Sequence, residues 1–172
     1  MAHVVLVGFM GTGKTTVGAE LAKRMELTQF DLDDLIEAKL GETIKTFFAR
    51  EGEAKFREIE TEVLDEYLDN EGILSTGGGV VMKDLNRELL KETQTPVVYL
   101  RTQPNKIMDR LSGETDGRPV LKNMTSKRFN DLWQFRAPLY EEVSDIVIDT
   151  DQLTPKELSY EIMRMIGERR TK

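Results

Sequence analysis

The chain predicts an α/β fold, a parallel sheet with helices on both faces, in a single domain spanning residues 1–172. Three observations predict it. Short apolar runs at residues 3–7, 28–31, 72–76, 96–100 and 145–148 alternate with longer stretches of helical spacing. A glycine-rich loop lies between the first of these runs and the first helical stretch, where a strand must turn into a helix. No repeat, low-complexity tract or linker divides the sequence, and 172 residues suffice for one real core.

The first run, His3-Val4-Val5-Leu6-Val7, reads as a short buried strand. Next comes Gly8-Phe9-Met10-Gly11-Thr12-Gly13-Lys14-Thr15-Thr16, which fits the phosphate-binding pattern G-x-x-x-x-G-K-[ST] at every fixed position. Glycines let the backbone curl so that successive N–H groups point at phosphate oxygens. The helix N-terminus adds its partial positive charge. Candidate nucleotide-binding residues are therefore Gly11, Thr12, Gly13, Lys14, Thr15 and Thr16. Lys14 is expected to reach the β- and γ-phosphates, and the Thr15 hydroxyl to hold Mg²⁺. In the helix that follows, Val17, Leu21 and Ala22 share one face.

The second strand ends in Phe30-Asp31-Leu32-Asp33-Asp34. Strand alternation would aim Asp31 and Asp33 the same way, into the crevice at the strand ends. One carboxylate could hold water on Mg²⁺ while the other orients an attacking hydroxyl. The same residues equally suit a helix cap, and Asp34 is the one expected only to cap. Residues 33–69 have helical character without a strand. Residues 112–124 carry Gly113, Gly117 and Pro119 among polar side chains. These two stretches exceed a minimal α/β core and suit a substrate-holding insertion and a mobile lid. The third strand runs into Gly77-Gly78-Gly79, either a plain turn or a place where backbone approaches a ligand. Pro104 opens a helix to about Leu111, and Thr154-Pro155 with Glu157 reads as a capped start for the last helix. Trp133 is expected to pack, not to touch a ligand.

Composition narrows the partners. Hydrophobic content of 39% and charged content of 32% are ordinary for a soluble globular protein, and no run reaches the length of a membrane span. The first strand begins at once, so no signal or transit peptide is expected, and a cytoplasmic location is the default. Without cysteine there is no disulfide or thiolate metal site. The one histidine, His3, stands at the chain start and suits acid–base work poorly. A net charge of −7 and a pI near 4.9 argue against nucleic acid as a partner. A nucleotide must then be held locally, by a few arginines and lysines gathered in one cleft.

Further motifs narrow the family. The segment Phe48-Ala49-Arg50-Glu51-Gly52-Glu53-Ala54-Lys55-Phe56-Arg57-Glu58-Ile59-Glu60 resembles the one that shikimate kinases carry after their acidic pair, with Phe48, Gly52, Glu53, Phe56, Arg57 and Glu60 at the family spacing. The phosphate loop through Gly18 is similar to that family too. So are Ser75-Thr76-Gly77-Gly78-Gly79, Gly117-Arg118-Pro119-Val120-Leu121 and Arg136-Ala137-Pro138-Leu139-Tyr140. These motifs, in the family's order, span nearly the whole chain.

The resemblance implies an ATP:shikimate 3-phosphotransferase of aromatic amino-acid biosynthesis. It implies a three-layer fold like the nucleoside monophosphate kinases, with a five-stranded parallel sheet, and an enzyme acting on shikimate and ATP with Mg²⁺; a monomer is expected. By similarity, Asp33 meets the substrate hydroxyls and is the candidate base. Asp31 sits near Mg²⁺ through water. Arg57 and Arg136 clamp the substrate carboxylate, and Gly77, Gly78 and Gly79 offer backbone to it. Arg118 closes from the lid onto the phosphates, and Arg110 lies near the adenine. The catalytic set is then Lys14, Asp33 and Arg118.

Physical chemistry suits these assignments, since a guanidinium presents a rigid donor fork to a carboxylate. Alone, Arg57 would read as a solvated helix arginine. Ser75 stands where many P-loop enzymes have an acid, as it does in the family, so Mg²⁺ should have few direct protein ligands beyond Thr15. Two rivals stay in view: another small-molecule kinase on this scaffold, acting on gluconate or a nucleoside monophosphate, and a nucleotide-binding regulatory domain without catalysis. The Arg57 and Arg136 motifs speak against the first. Intact Lys14, Asp33 and Arg118 speak against the second.

Overall fold

A computed structural model describes residues 3–112 and 126–170. In chain order the elements are β1 (His3–Val7), α1 (Lys14–Met25), β2 (Gln29–Asp31), α2 (Leu32–Leu40), α3 (Ile44–Glu51), α4 (Glu53–Tyr67) and β3 (Gly72–Ser75). A short 3₁₀ turn (Val80–Met82) precedes α5 (Asp84–Glu92), β4 (Val97–Arg101) and α6 (Pro104–Ser112). The chain finishes with α7 (Ser126–Val143), β5 (Ile146–Asp149) and α8 (Pro155–Arg170). All strands pair in parallel in the order β2-β3-β1-β4-β5.

Alternation along the strands feeds two cores. Val4 and Leu6 of β1 join Ile73, Val98, Leu100, Ile146 and Ile148 beneath Val17 and Leu21 of α1 and Leu158 and Ile162 of α8. Val5 and Val7 face the other way, with Leu74, Val97 and Tyr99, toward Ile36 of α2, Leu64 of α4, Leu90 of α5 and Tyr140 of α7. Burying both faces is what makes the strands read as near-continuous apolar runs. The result is a three-layer sandwich.

Local chemistry sets the helix ends. Thr43 caps α3 by accepting from the Thr46 N–H at 3.2 Å. Gly52, at φ +87°, separates α3 from α4. At α8, Thr154 and Glu157 satisfy each other's N–H groups at 3.1 Å, the expected capping box. Residues 33–69 hold α2, α3 and α4 and no strand, as the periodicity indicated. The two strands on the far edge extend one residue further than their apolar runs. Arg101 and Asp149 sit opposite each other and pair at 2.6 Å, so a charged pair continues the ladder where hydrophobicity stops. The expected lid falls almost wholly on residues 113–125, which lie outside the described residues, and Arg118 lies there with it.

Topology places the site. The chain leaving β1 runs toward β2, whereas the chain leaving β3 crosses back to β4. β1 and β3 are neighbours, so the loops at their C-terminal ends diverge and open a crevice. Leu6 and Asp31 both lie opposite Ser75. The phosphate loop, the acidic pair and the glycine turn therefore emerge side by side.

Candidate active site

The phosphate loop takes the shape its glycines permit. Gly13, at φ +88°, is left-handed and hands the chain directly to Lys14, the first residue of α1. The buried Lys14 ammonium donates to the carbonyls of Gly8 (2.6 Å) and Phe9 (3.0 Å), which hold it over the loop. Thr12 is buried, and its hydroxyl has no hydrogen-bond partner among the described residues. Thr15 and Thr16 are exposed at the helix start. The first turn of α1 is tied down from the sheet. Gln29 of β2 donates to the Thr15 carbonyl at 2.8 Å, and Ser75 of β3 to that of Lys14 at 3.4 Å. Ser75 thus serves the helix through its own hydroxyl.

The acidic pair is arranged differently from a strand tip. Asp31 ends β2, but Asp33 already lies in the first turn of α2. What joins them is a cap: Asp31 Oδ1 accepts from the Asp33 N–H at 2.9 Å. The capping residue is therefore Asp31, not Asp34, which stands exposed in the first turn. Asp31 does a second job, because its Oδ2 accepts from the Thr15 hydroxyl at 3.3 Å. Burial pushes the Asp33 carboxyl up to about 6, with the charge of Asp31 adding to this and Lys14 opposing it.

Thr15 and Asp31 also answer whether a divalent cation fits. Among the described residues no cluster of three His, Cys, Asp or Glu side chains could hold a metal alone. A hydroxyl beside a carboxylate at the mouth of a phosphate loop suits an ion whose other ligands are phosphate oxygens and water.

Across the crevice two arginines converge on the glycine turn. Arg57 of α4 bonds Glu60 Oε1 through Nη1 at 2.9 Å and lies 3.6 Å from Glu53. A Cβ on Gly79 would stand 2.8 Å from the Arg57 Cζ, so the guanidinium rests directly on that glycine. Arg136 of α7 lies 5.6 Å from the centre of the Phe9 ring, and its Nη1 would be 3.7 Å from a Cβ on Gly78. The Nε atoms of both arginines are buried without a partner among the described residues. Two guanidinium groups gathered at one turn, with donor capacity left over, suit an anionic ligand there. The turn touches the other half of the site as well. A Cβ on Gly77 would be 3.1 Å from Asp33 Oδ1, and one on Gly78 would be 3.2 Å from the Met10 nitrogen.

Sequence reasoning gave no role to three side chains that build this region. Glu60 is 1% exposed and ion-paired to Arg57. Burial raises its carboxyl above the usual range while Arg57 pulls it back. Tyr140, one turn beyond Arg136, donates its hydroxyl to the Gly78 carbonyl. Asn86 of α5 is fully buried and bonds Glu60. Glu60 and Tyr140 do fall inside the matched motifs. Asn86 carries no signal beyond being polar on the inner face of an amphipathic helix. Of the expected site residues, Arg110 lies in α6 but its side chain is outside the described residues, like Arg118. Trp133 packs and donates to the Thr102 carbonyl at 3.0 Å.

A parallel sheet in this order, with a G-x-x-x-x-G-K-[ST] loop leaving β1, defines the class: a P-loop protein with the nucleoside-monophosphate-kinase-like fold. A sequence profile of the shikimate kinase family matches residues 10–167. The shikimate kinase of Enterococcus faecalis is 40% identical over 169 residues, covering 98% of this chain and 100% of that one. The structure of shikimate kinase from Acinetobacter baumannii in complex with shikimate superposes with a TM-score of 0.91 at 38% identity, over 100% of this chain and 96% of that one. The Bacteroides thetaiotaomicron shikimate kinase structure gives 0.85 at 30% identity, over 97% and 98%. The chain belongs to the shikimate kinase family, and with it to the ATP-using phosphotransferases.

Proposed function

We propose that this chain transfers the γ-phosphoryl group of ATP to the 3-hydroxyl of shikimate, releasing ADP and shikimate 3-phosphate for aromatic amino-acid biosynthesis. The observation that carries the reading is the pair of arginines, Arg57 and Arg136, whose guanidinium groups both lie against the glycine turn beside Asp33 and whose buried Nε atoms have no partner among the described residues. They suit the carboxylate of a small ring acid. Backbone at Gly77, Gly78 and Gly79 completes its cradle. Asp33, ionised above about pH 6, accepts the hydrogen bond of the attacking hydroxyl and takes its proton. The new O–P bond then forms as the bond from the γ-phosphorus to the bridging oxygen of ADP breaks.

On the nucleotide side, Gly11, Thr12, Gly13, Thr15 and Thr16 wrap the phosphates, and Lys14 neutralises charge on the transferring group. Mg²⁺, when bound, would add charge neutralisation there; Thr15 would hold it directly and Asp31 through water. Arg118 and Arg110 are assigned to the phosphates and the adenine on the family resemblance. The net charge of −7 speaks against a nucleic-acid partner and favours a monomer. No helix among the described residues is long and apolar enough to cross a membrane.

The test offers shikimate, gluconate and nucleoside monophosphates separately and follows ATP consumption with Mg²⁺. Turnover with shikimate alone is expected. Turnover with another acceptor would keep the P-loop chemistry and void the carboxylate clamp. ATP binding with silence toward all three would favour a regulatory domain.

A further inference from the structure

Asn86 is a fully buried amide that neither the phosphate loop nor the arginine clamp accounts for. It projects from α5 and reaches two other elements. Its Nδ2 donates to Glu60 Oε1 of α4 at 3.3 Å and to the Val80 carbonyl, just past the glycine turn, at 3.0 Å. Its Oδ1 accepts from the Thr61 hydroxyl at 2.6 Å, and that hydroxyl also lies 2.8 Å from the Arg57 carbonyl. The orientation of the amide follows from these partners, since Glu60 Oε1 and the Val80 carbonyl can only accept. Both donors of Asn86 are thereby used, and its acceptor shares the one Thr61 hydroxyl hydrogen with the Arg57 carbonyl.

The partners are not scattered. Glu60 Oε1 is the atom that holds the Arg57 guanidinium. Val80 follows Gly79, the residue on which that guanidinium rests. One side chain therefore fixes α4 and the glycine turn relative to each other. It also supplies the buried Glu60 carboxylate with a second donor besides Arg57. A buried carboxylate short of donors is costly, and its partner is free to leave with it.

We propose that Asn86 is a positioning residue for acceptor binding: through Glu60 and Val80 it sets the spacing between the Arg57 guanidinium and the glycine turn. This rests on the reading of the pocket as the shikimate site. It separates binding of the acceptor from binding of ATP, because none of Asn86's bonds reaches the phosphate loop.

Steady-state kinetics with each substrate varied, plus thermal melting, test the proposal on Asn86→Asp. That variant keeps the shape and puts an oxygen where Glu60 and Val80 need a donor. The expected result is a KM for shikimate raised at least about tenfold, the scale of a lost hydrogen bond to a charged group, with KM for ATP within about twofold. Glu60→Gln combined with Asn86→Asp should cost less than the product of the single effects, because both act on one bond. Equal shifts in both KM values, no shift in either, or strictly multiplicative effects would overturn the role and leave Asn86 a packing residue. Should Asn86→Asp fail to fold, Asn86→Thr, smaller and neutral, carries the same readings. Wild-type protein that turns over no shikimate overturns the functional reading itself. Active wild type with an unmoved variant overturns only the role of Asn86.

Discussion

The phosphate loop and the acceptor pocket meet at one crevice but are built in opposite ways. The loop is a single stretch of chain whose shape comes from glycine dihedrals, and Lys14 is bonded to carbonyls only five and six residues away. The pocket gathers side chains from α2, α4, α5 and α7 around one turn, with the bond from Tyr140 to Gly78 spanning 62 residues. A site made of backbone carries its own geometry. A site made of side chains depends on each buried polar group having its partner. The two halves should therefore fail differently: damage in the loop should slow turnover or weaken ATP, and damage in the pocket should weaken shikimate.

The sharpest test of that contrast is Lys14→Ala. It removes the loop's one charged side chain, and kcat should fall about a thousandfold or more while shikimate binding by calorimetry stays near wild type. A fall under tenfold would mean that backbone donors alone carry the phosphate chemistry.

Asp33→Asn comes next, because Asp33 stands where the two halves join. Turnover should drop by about a hundredfold or more, the range of a lost general base. In the wild type, kcat/KM should decline below about pH 6 as the carboxyl takes up its proton, and the variant should lose that limb. Stability should move the other way. The carboxyl titrates near 6 when folded and at its ordinary value of 3.8 when unfolded. Its favourable contribution is thus complete below about pH 4 and lost as pH rises through 6. Asp33→Asn should unfold with more difficulty than wild type at pH 7, by on the order of 2 kcal/mol, and equally at pH 4. A variant that is less stable at pH 7 would show that the carboxylate is better satisfied than its burial implies.

This division also explains what could be read from residues alone. The loop was legible because its chemistry is contiguous: motif, strand and helix start stand within one stretch. The layered sheet was legible because strands buried on both faces leave apolar runs, although Arg101 and Asp149 extended two of them beyond that signal. In the pocket, Arg57 and Arg136 stood out only through the family resemblance. Helical periodicity cannot tell a guanidinium pinned on a glycine from one in water. Asn86 and Tyr140 took no role because partners far along the chain define them, and Glu60 took none because its pair with Arg57, three residues away, reads like any surface ion pair on a helix. The Asp31–Asp33 pair was foreseen, but strand alternation was the wrong cause; a helix cap joins them.

Arg136→Ala probes the pocket by itself. One of its two orphaned donors disappears, so KM for shikimate should rise by roughly thirtyfold to a hundredfold, with KM for ATP changed far less. Equal losses for both substrates would erase the separation between the halves, since Arg136 also lies over Phe9 of the loop.

The finest probe is Gly79→Ala. Gly79 has φ −94° and ψ 7°, a conformation open to alanine, so the backbone itself is not the obstacle. The obstacle is Arg57, whose Cζ would lie 2.8 Å from the new methyl group. The guanidinium must swing off the turn and stretch its 2.9 Å bond to Glu60. Nothing in the phosphate loop need move. KM for shikimate should rise by about fivefold to tenfold, with kcat and KM for ATP near wild type, the cost of displacing one charged hydrogen bond without deleting it. Gly13→Ala is the matching change in the loop, and there the backbone is the obstacle, because φ +88° strains any side chain. It should weaken ATP and leave shikimate alone. If both glycine variants disturb both substrates, the crevice behaves as one rigid unit and its two halves are not separable.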